Sequence, residues 1–466
     1  MGRVLGGKVA MNILIYAVSG FNTIGGGRRV SAELTKAFTE LGHRTLVWSL
    51  RPYKASELYG NSFTPDNHFF SPDGIMVNDL NAELRRKIAK DFLNVLATHG
   101  IGLVLFDCEF SYQEFKEVFG RYVRWPSDTV CAALIHDQLW NGRPHAMTIY
   151  PCGRDAKRMA AALPYTPIRL YYQMQRSHLI EVTGHDFTRE GIGRTPWYKQ
   201  TFAWRLAHYL KKTQGEYREI IRRKRQFRRL DVLFNLTERA RRESLAAYGL
   251  PSHRVVCAFG VTDYTSHNIA PVRDFRVESE SVRKTVILSF ARMAPEKYLE
   301  ITLLSFAQFL LTHPDGILWM GGQIVPNQLS YFEYIKAVVS HLGISDKVFF
   351  WGTCPEGEML NLYQQCDCFI CTDPVDFNLS VYTALKLHKP VVVGDSYDFP
   401  PELFHTKLIR RGSATVEGFA ERLRAAVNEA ELIDTETVAF LKQVNFHTYA
   451  QTILASMERF KTHNSL

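Results

Sequence analysis

Short apolar runs that end in a turn and hand over to a segment of helical period recur along this chain, and they recur as a set in each half. Asn12-Ile13-Leu14-Ile15-Tyr16-Ala17-Val18 is the first such run, closed by Ser19-Gly20. A strand apolar on both faces belongs in a parallel sheet that helices cover on each side. Val30, Leu34, Ala37, Phe38 and Leu41 follow at helical spacing until Gly42 stops them, and Thr45-Leu46-Val47-Trp48-Ser49 supplies a second strand. Strand, glycine turn, helix and strand in this order open a doubly wound α/β domain. Residues 103–106, 130–135 and 232–235 continue the series with further strands.

The second half restarts the pattern, with strands expected at 285–291, 317–320, 347–350, 368–371 and 390–393. Helices are expected at 302–311, 331–342 and from Leu379 onward. Residues 260–282 between the halves are polar and charged, and read as a hinge beginning at Gly260. The domains are therefore placed at 11–265 and 283–446, with residues 447–466 as a final helix packing back toward the first domain. The fold class is α/β: two doubly wound Rossmann-like domains facing each other across a cleft. Ligands of such sheets sit outside the carboxyl ends of the strands, so the site is expected there.

Composition narrows the class further. With 466 residues, 46% hydrophobic and 22% charged, the chain can bury real cores, and disordered or collagenous classes are excluded. No stretch approaches the ~18 consecutive apolar residues of a membrane span. The 8 cysteines are scattered, which favours a reducing, cytosolic compartment over a disulfide framework. Arg3, Lys8 and the apolar run 13–18 mimic a short signal peptide, but a glycine turn and an amphipathic helix follow directly.

Four motifs carry chemistry. Gly25-Gly26-Gly27-Arg28-Arg29 lies between the first strand and the first helix, where backbone can approach an anion; an ordinary tight turn is the plainer alternative. Its spacing is not that of a dinucleotide fingerprint, and no acidic residue ends the second strand, which disfavours a nicotinamide enzyme. Arg292 and Lys297 follow the first strand of the second half, a fork and a point charge suited to a diphosphate, or else solvated loop charges. Asp373-Pro374-Val375-Asp376-Phe377-Asn378-Leu379-Ser380 opens a helix with Asn378 as its N-cap, leaving the amides of Leu379 and Ser380 as donors for a phosphate. His136-Asp137 closes the strand 130–135, where an imidazole could polarise a sugar or acceptor hydroxyl or simply serve structure.

Together these residues resemble the retaining glycosyltransferases of family four, with the GT-B fold. Residues 12–47 resemble the opening strand, GGG loop and "GH" (Gly42-His43) of that family, and residues 133–137 its "HD" strand end. Residues 230–263 resemble its "aD-v-i" segment, ending here in Gly260-Val261-Thr262-Asp263. Residues 286–310 resemble "GR--peKg", and residues 318–393 the stretch ending in "EgFgL--lEAma-gkPVV". The resemblance implies transfer of a hexose-like group from a nucleotide sugar to a glycan or lipid-linked acceptor, retaining and metal-independent, with no cofactor beyond the nucleotide-sugar co-substrate. It implies a catalytic role for His136, Asp137 and Asp376. It assigns donor binding to Gly26, Gly27, Arg292, Lys297, Asn378, Leu379, Ser380 and Thr383. The sequence departs from the family at its paired glutamates, which read Val375 and Thr383 here. Valine accepts no hydrogen bond, and Thr383 offers one weak contact where a carboxylate offers two. The family's glycine after "GR--peK" is Tyr298, and its Ala-Met-Ala is Ala384-Leu385-Lys386. A catalytically degenerate binding or scaffold protein on the same fold is the alternative.

Three features stand outside this pattern. Residues 205–229 form a basic amphipathic helix that supplies much of the net charge of +9. An anionic membrane surface or a nucleic acid could dock there, or the face is solvated; the first makes the protein peripheral on the inner face of a membrane, as in polysaccharide biosynthesis, and the second implies a sugar transferase acting on modified nucleic acid. Residues 140–200 are an insertion in the first domain, beside its acceptor side. Cys366, Cys368 and Cys371 fall on or beside a buried strand and are expected to fill core, not to hold a metal.

Overall fold

The computed structural model describes residues 4–5, 8–17, 26–50, 67–70, 81–135, 165–187, 221–222, 224–264, 273–324, 328–428 and 435–464. The chain divides into two compact units. The first comprises Met1–Leu139, Tyr217–Thr262 and Gln443–Leu466, and the second Trp140–Glu216 and Asp263–Lys442.

The first unit is built on strands β1 (Asn12–Tyr16), β2 (Arg44–Ser49), β3 (Asn67–Phe70), β4 (Ile101–Phe106), β5 (Val130–Ile135), β6 (Val232–Asn235) and β7 (Val255–Cys257). They form one parallel sheet in the order β3-β2-β1-β4-β5-β6-β7. Helices α1 (Gly26–Glu40), α2 (Ala82–His99) and α3 (Glu109–Val118) connect the early strands. Ile13, Leu14, Ile15 and Tyr16 are all fully buried, as an uninterrupted apolar run requires. Tyr16 sits in an aromatic cluster with Phe92 of α2, Phe106 of β4, and Phe115 and Phe119 at α3, with ring centroids 5.2–6.2 Å apart.

Later in the chain come α4 (Tyr165–Thr183) and α5 (Glu238–Tyr248). The second unit's strands are β8 (Val286–Phe290), β9 (Ile317–Gly321), β10 (Val348–Gly352), β11 (Cys368–Cys371), β12 (Val391–Gly394) and β13 (Ile409–Gly412). Helices α6 (Leu299–Leu310), α7 (Leu329–His341), α8 (Glu356–Gln365), α9 (Leu379–Lys386) and α10 (Val416–Asn428) alternate with them. The sheet runs β10-β9-β8-β11-β12-β13, again parallel throughout. In both sheets the first strand stands in the middle, so the strand order reverses beside it: at β1/β4 in one unit and at β8/β11 in the other. The chain ends with α11 (Thr435–Gln443) and α12 (Phe446–Asn464), and α12 lies in the first unit against α1 and β6.

Strands expected from apolar runs are present within a few residues of their predicted ends. Within the two large sheets three more were not expected: β3, β7 and β13, each at the edge of its sheet. An edge strand pairs on one side only and tolerates polar residues, so Ile409-Arg410-Arg411-Gly412 carries no apolar run to announce it.

Two placements depart from the sequence reading. The insertion was assigned to the first domain, yet Trp140–Glu216 clusters with the second unit. Tyr172, Leu179 and Ile180 of α4 are buried in that unit's core with Met293, Leu299, Tyr334 and Ile335. Gly260 was read as the start of a hinge, but it lies inside the first unit at a close approach. A Cβ there would stand 3.0 Å from the Asn445 carbonyl oxygen and from Phe446 Cα, so glycine is needed to admit the start of α12. The division between units falls instead at Thr262/Asp263 and Lys442/Gln443. Most of the expected basic helix 205–229 lies outside the described residues. Within its end, Arg222 pairs with Glu117 at 2.5 Å, and Phe227 is fully buried against Tyr112 and Tyr248.

Candidate functional site

The second sheet reverses its strand order between β8 and β11, and the loops leaving these two neighbours carry most of the candidate residues. After β8 the chain stays close to the end of β9: the Ala291 amide donates to the Gly321 carbonyl (2.9 Å) and the Met293 amide to the Gln323 carbonyl (2.8 Å). Gly322 makes this approach possible. Its φ is +126°, and a Cβ would lie 2.0 Å from the Ala291 carbonyl oxygen. Arg292 projects from this loop half-exposed, paired with Glu296 (2.5 Å). Pro295–Lys297 then form a single 3₁₀ turn that ends at Tyr298, in the left-handed region with φ +49°.

Lys297 is committed differently. Its ammonium meets Asp373 Oδ2 at 2.5 Å, which ties the loop after β8 to the loop after β11. Burial by itself would push the ammonium pKa down. The Asp373 charge and hydrogen bond outweigh that and hold it above the ordinary lysine value. The group is thus a lysine kept positive at the reversal point, with its present counter-charge supplied by the protein.

Beyond β11, Asn378 caps α9 as its sequence position predicts, in extended backbone, with its side-chain oxygen accepting the Ser380 amide (2.8 Å). That bond corrects one expectation: the Ser380 amide is satisfied by the cap and is not a spare donor. Asn378 also donates to Cys371 Sγ (3.6 Å). The Thr383 hydroxyl donates to the Leu379 carbonyl one turn back (3.0 Å), and the residue is buried. Asp376 is buried, and its carbonyl accepts the Asp398 amide (3.0 Å). Cys366, Cys368 and Cys371 are free thiols in the core; burial pushes the Cys371 thiol up to about 11 and the Cys366 thiol up to about 12.

In the first unit, Gly26 and Gly27 are the first two residues of α1. In the same first turn Arg29 Nε donates to the Thr262 hydroxyl (3.0 Å). His136 and Asp137 lie outside the described residues, immediately after β5. Sequence reasoning overlooked Asp107, which directly follows β4 at this sheet's own reversal point. Its buried carboxylate accepts from the hydroxyls of Ser111 and, at 3.4 Å, Ser31 of α1. Sequence reasoning also missed Arg176 and Glu300, a buried ion pair beneath the Arg292–Lys297 loop. The helix was expected to begin at 302, whereas it begins at Leu299, so Glu300 fell outside the expected element and no local pattern marked its burial.

Residues 273–444 match the family described as glycosyl transferases group 1. No curated protein matches the chain by sequence. Among solved structures, a glycosyltransferase from Rickettsia africae ESF-5 aligns at 13% identity with a TM-score of 0.60, covering 97% of this chain and 98% of its own. HepE of Anabaena in complex with UDP and glucose aligns at 14% identity and TM-score 0.62, covering 96% and 99%. The sucrose-phosphate synthase of Thermosynechococcus elongatus aligns at 12% identity and TM-score 0.60, covering 97% and 100%. At such identities the likeness speaks for the fold. The doubly wound order found twice in one chain agrees with the structural comparisons: this protein has the GT-B fold with two Rossmann-like units, and its residues 273–444 are similar to the glycosyl transferases group 1 family.

Proposed function

We propose that the protein transfers a hexose-like sugar, with retention, from a nucleotide sugar to a glycan or lipid-linked acceptor. The observation that carries this reading is the convergence of Arg292 and Lys297 from one strand end with Asp373, Asn378 and the start of α9 from its neighbour, at the strand-order reversal. As the glycosidic bond to the donor breaks, negative charge grows on the departing nucleoside diphosphate. Arg292 answers it with a fork, Lys297 with a point charge shared with Asp373, and the Leu379 amide with the positive end of α9. Gly26 and Gly27 are assigned to the donor, and His136, Asp137 and Asp376 to the reacting centre. These cations supply the charge stabilisation without a metal, and the nucleotide sugar is the only co-substrate required. The basic segment 205–229 gives a cytoplasmic enzyme a peripheral hold on an anionic inner membrane face, a setting suited to polysaccharide biosynthesis.

The test is binding and turnover with a panel of UDP-, GDP- and ADP-sugars. One donor should bind and undergo transfer or slow hydrolysis, and Arg292→Ala should abolish both. Failure of the wild-type protein to bind any of them overturns the reading. A second reading has its own observation: the Val375 side chain can accept no hydrogen bond, and the Thr383 hydroxyl already gives its one proton to the Leu379 carbonyl. On that reading the fold serves as a non-catalytic scaffold. Val375→Glu with Thr383→Glu would then confer nucleotide binding on an inert protein, and wild-type turnover ends it.

A further inference from the structure

The segment that interrupts the first unit's sequence contributes α4 to the second unit, and α4 bears directly on the turn between Arg292 and α6. Arg176 is only 6% exposed. Its Nε pairs with the fully buried Glu300, and its Nη2 donates to the Pro295 carbonyl. The guanidinium carbon lies 4.4 Å from the centroid of the Tyr298 ring. Glu300 in turn accepts the Tyr331 hydroxyl (2.7 Å), whose oxygen accepts the Leu299 amide (3.0 Å). Gln173, one turn before Arg176 on α4, donates to the Tyr298 hydroxyl (3.0 Å), and the Tyr172 ring stands 5.2 Å from the Tyr298 ring.

These contacts explain how a tyrosine occupies a left-handed position where the family resemblance expects glycine. A non-glycine residue there costs on the order of 1 kcal/mol or more and persists only where its surroundings over-determine it. Here α4 supplies those surroundings. Because the Arg176 charge is neutralised by Glu300 and buried, it adds no attraction of its own for an anion. Its effect on a ligand has to be geometric.

We propose that Arg176 is a positioning residue: by holding the Pro295 carbonyl and the Glu300 carboxylate together, it fixes the turn Pro295–Tyr298 and so sets where Arg292 and Lys297 meet a diphosphate. This rests on the nucleotide-sugar reading of that site. Displacing a charged group by about an ångström is enough to cost a large factor in a preorganised site. The substitution of glycine by Tyr298 and the presence of α4 thus belong to one device.

The test uses the full chain and two variants. Arg176→Lys keeps a charge against Glu300 but cannot fork to Pro295 as well. Arg176→Met combined with Glu300→Gln removes both charges at similar volume, so that neither is left buried alone. UDP, GDP and ADP are titrated calorimetrically against each protein, beside UMP, GMP and AMP. For the nucleotide that wild type binds, the diphosphate should weaken about tenfold or more in both variants, and the monophosphate by less than about threefold. Unchanged diphosphate affinity, or equal losses for both ligands, overturns the proposal. Amide exchange over residues 293–301 reads the brace without any ligand: it should accelerate in Arg176→Lys, and unchanged exchange also overturns it. A wild type that binds none of the nucleotides defeats the nucleotide reading alone, leaving the exchange result to decide the brace.

Discussion

Both units wind their strands in the same order, yet the two reversal points are furnished with opposite chemistry. At β1/β4 the described residues present buried carboxylates: Asp107, held by the neutral hydroxyls of Ser31 and Ser111, and Glu109 at the start of α3. At β8/β11 they present paired charges at two depths: Lys297 with Asp373 at the strand ends, and Arg176 with Glu300 beneath the turn. Strand order therefore decides where a crevice forms, while the loops and inserted helix decide what can occupy it. In the second unit the cations stand at the reversal point itself, which is where, on the proposed reading, a departing diphosphate would need them.

The sharpest way to break this comparison is to remove one member of the deeper pair. Glu300→Leu leaves Arg176 buried without its counter-ion and takes the acceptor from Tyr331. The second unit should lose about 3–5 kcal/mol of stability. Amide exchange resolved by peptide checks it: slow amides of β8, β9 and β11 should lose protection while those of β1 and β4 keep theirs. Equal losses in both units would show that the contrast between them carries no energetic weight.

The converse change strikes the first unit. Gly260 leaves no room for a side chain beside Asn445 and Phe446, so Gly260→Val overpacks the junction with α12 and should cost about 1–3 kcal/mol. Urea unfolding with the same peptide-resolved readout should place this loss in the first unit. Were Gly260 a free hinge, valine would be nearly silent.

That example marks where sequence was readable and where it was not. Central strands such as β1, β5, β8 and β11 are buried on both faces, so their apolar runs state their position and even their ends. The cap Asn378 was equally legible, because an N-cap is a local matter of one side chain and the amides two or three residues on. Gly260 looked like punctuation because its requirement comes from residues nearly two hundred positions away, which no local pattern encodes. Lys297 and Asp373 were each visible, but not that they bond to each other, since that follows from the adjacency of β8 and β11. Arg176 was hidden most completely: a helix inserted in one unit's sequence gives no sign that its partners lie in the other.

The finest distinction lies within the second unit, between Lys297, partly buried, and Lys386, buried. Burial acts on both in the same direction, disfavouring the charged ammonium. Lys297 faces the buried Asp373 and ends above the ordinary lysine value, whereas Lys386, 3% exposed at its side chain, faces Asp263 at 3.3 Å, which is 56% exposed and well solvated. Solvent weakens that attraction, and Lys386 ends below the ordinary value. The signs of their linkage to pH are accordingly opposite. The folded protein holds the Lys297 proton more tightly than the unfolded chain does, so its contribution is complete at neutral pH and disappears as pH rises through the raised value. It holds the Lys386 proton less tightly, so a penalty is present at neutral pH and is relieved as pH rises through the lowered value and beyond the ordinary one. Lys386→Met keeps the length of the side chain and removes the penalty. It should raise stability by about 1 kcal/mol at pH 7, and the gain should shrink steadily in alkaline urea titrations. A loss of stability at neutral pH would mean that Asp263 compensates burial as fully as Asp373 does, and the difference between an enclosed and a solvated counter-ion would not govern this site.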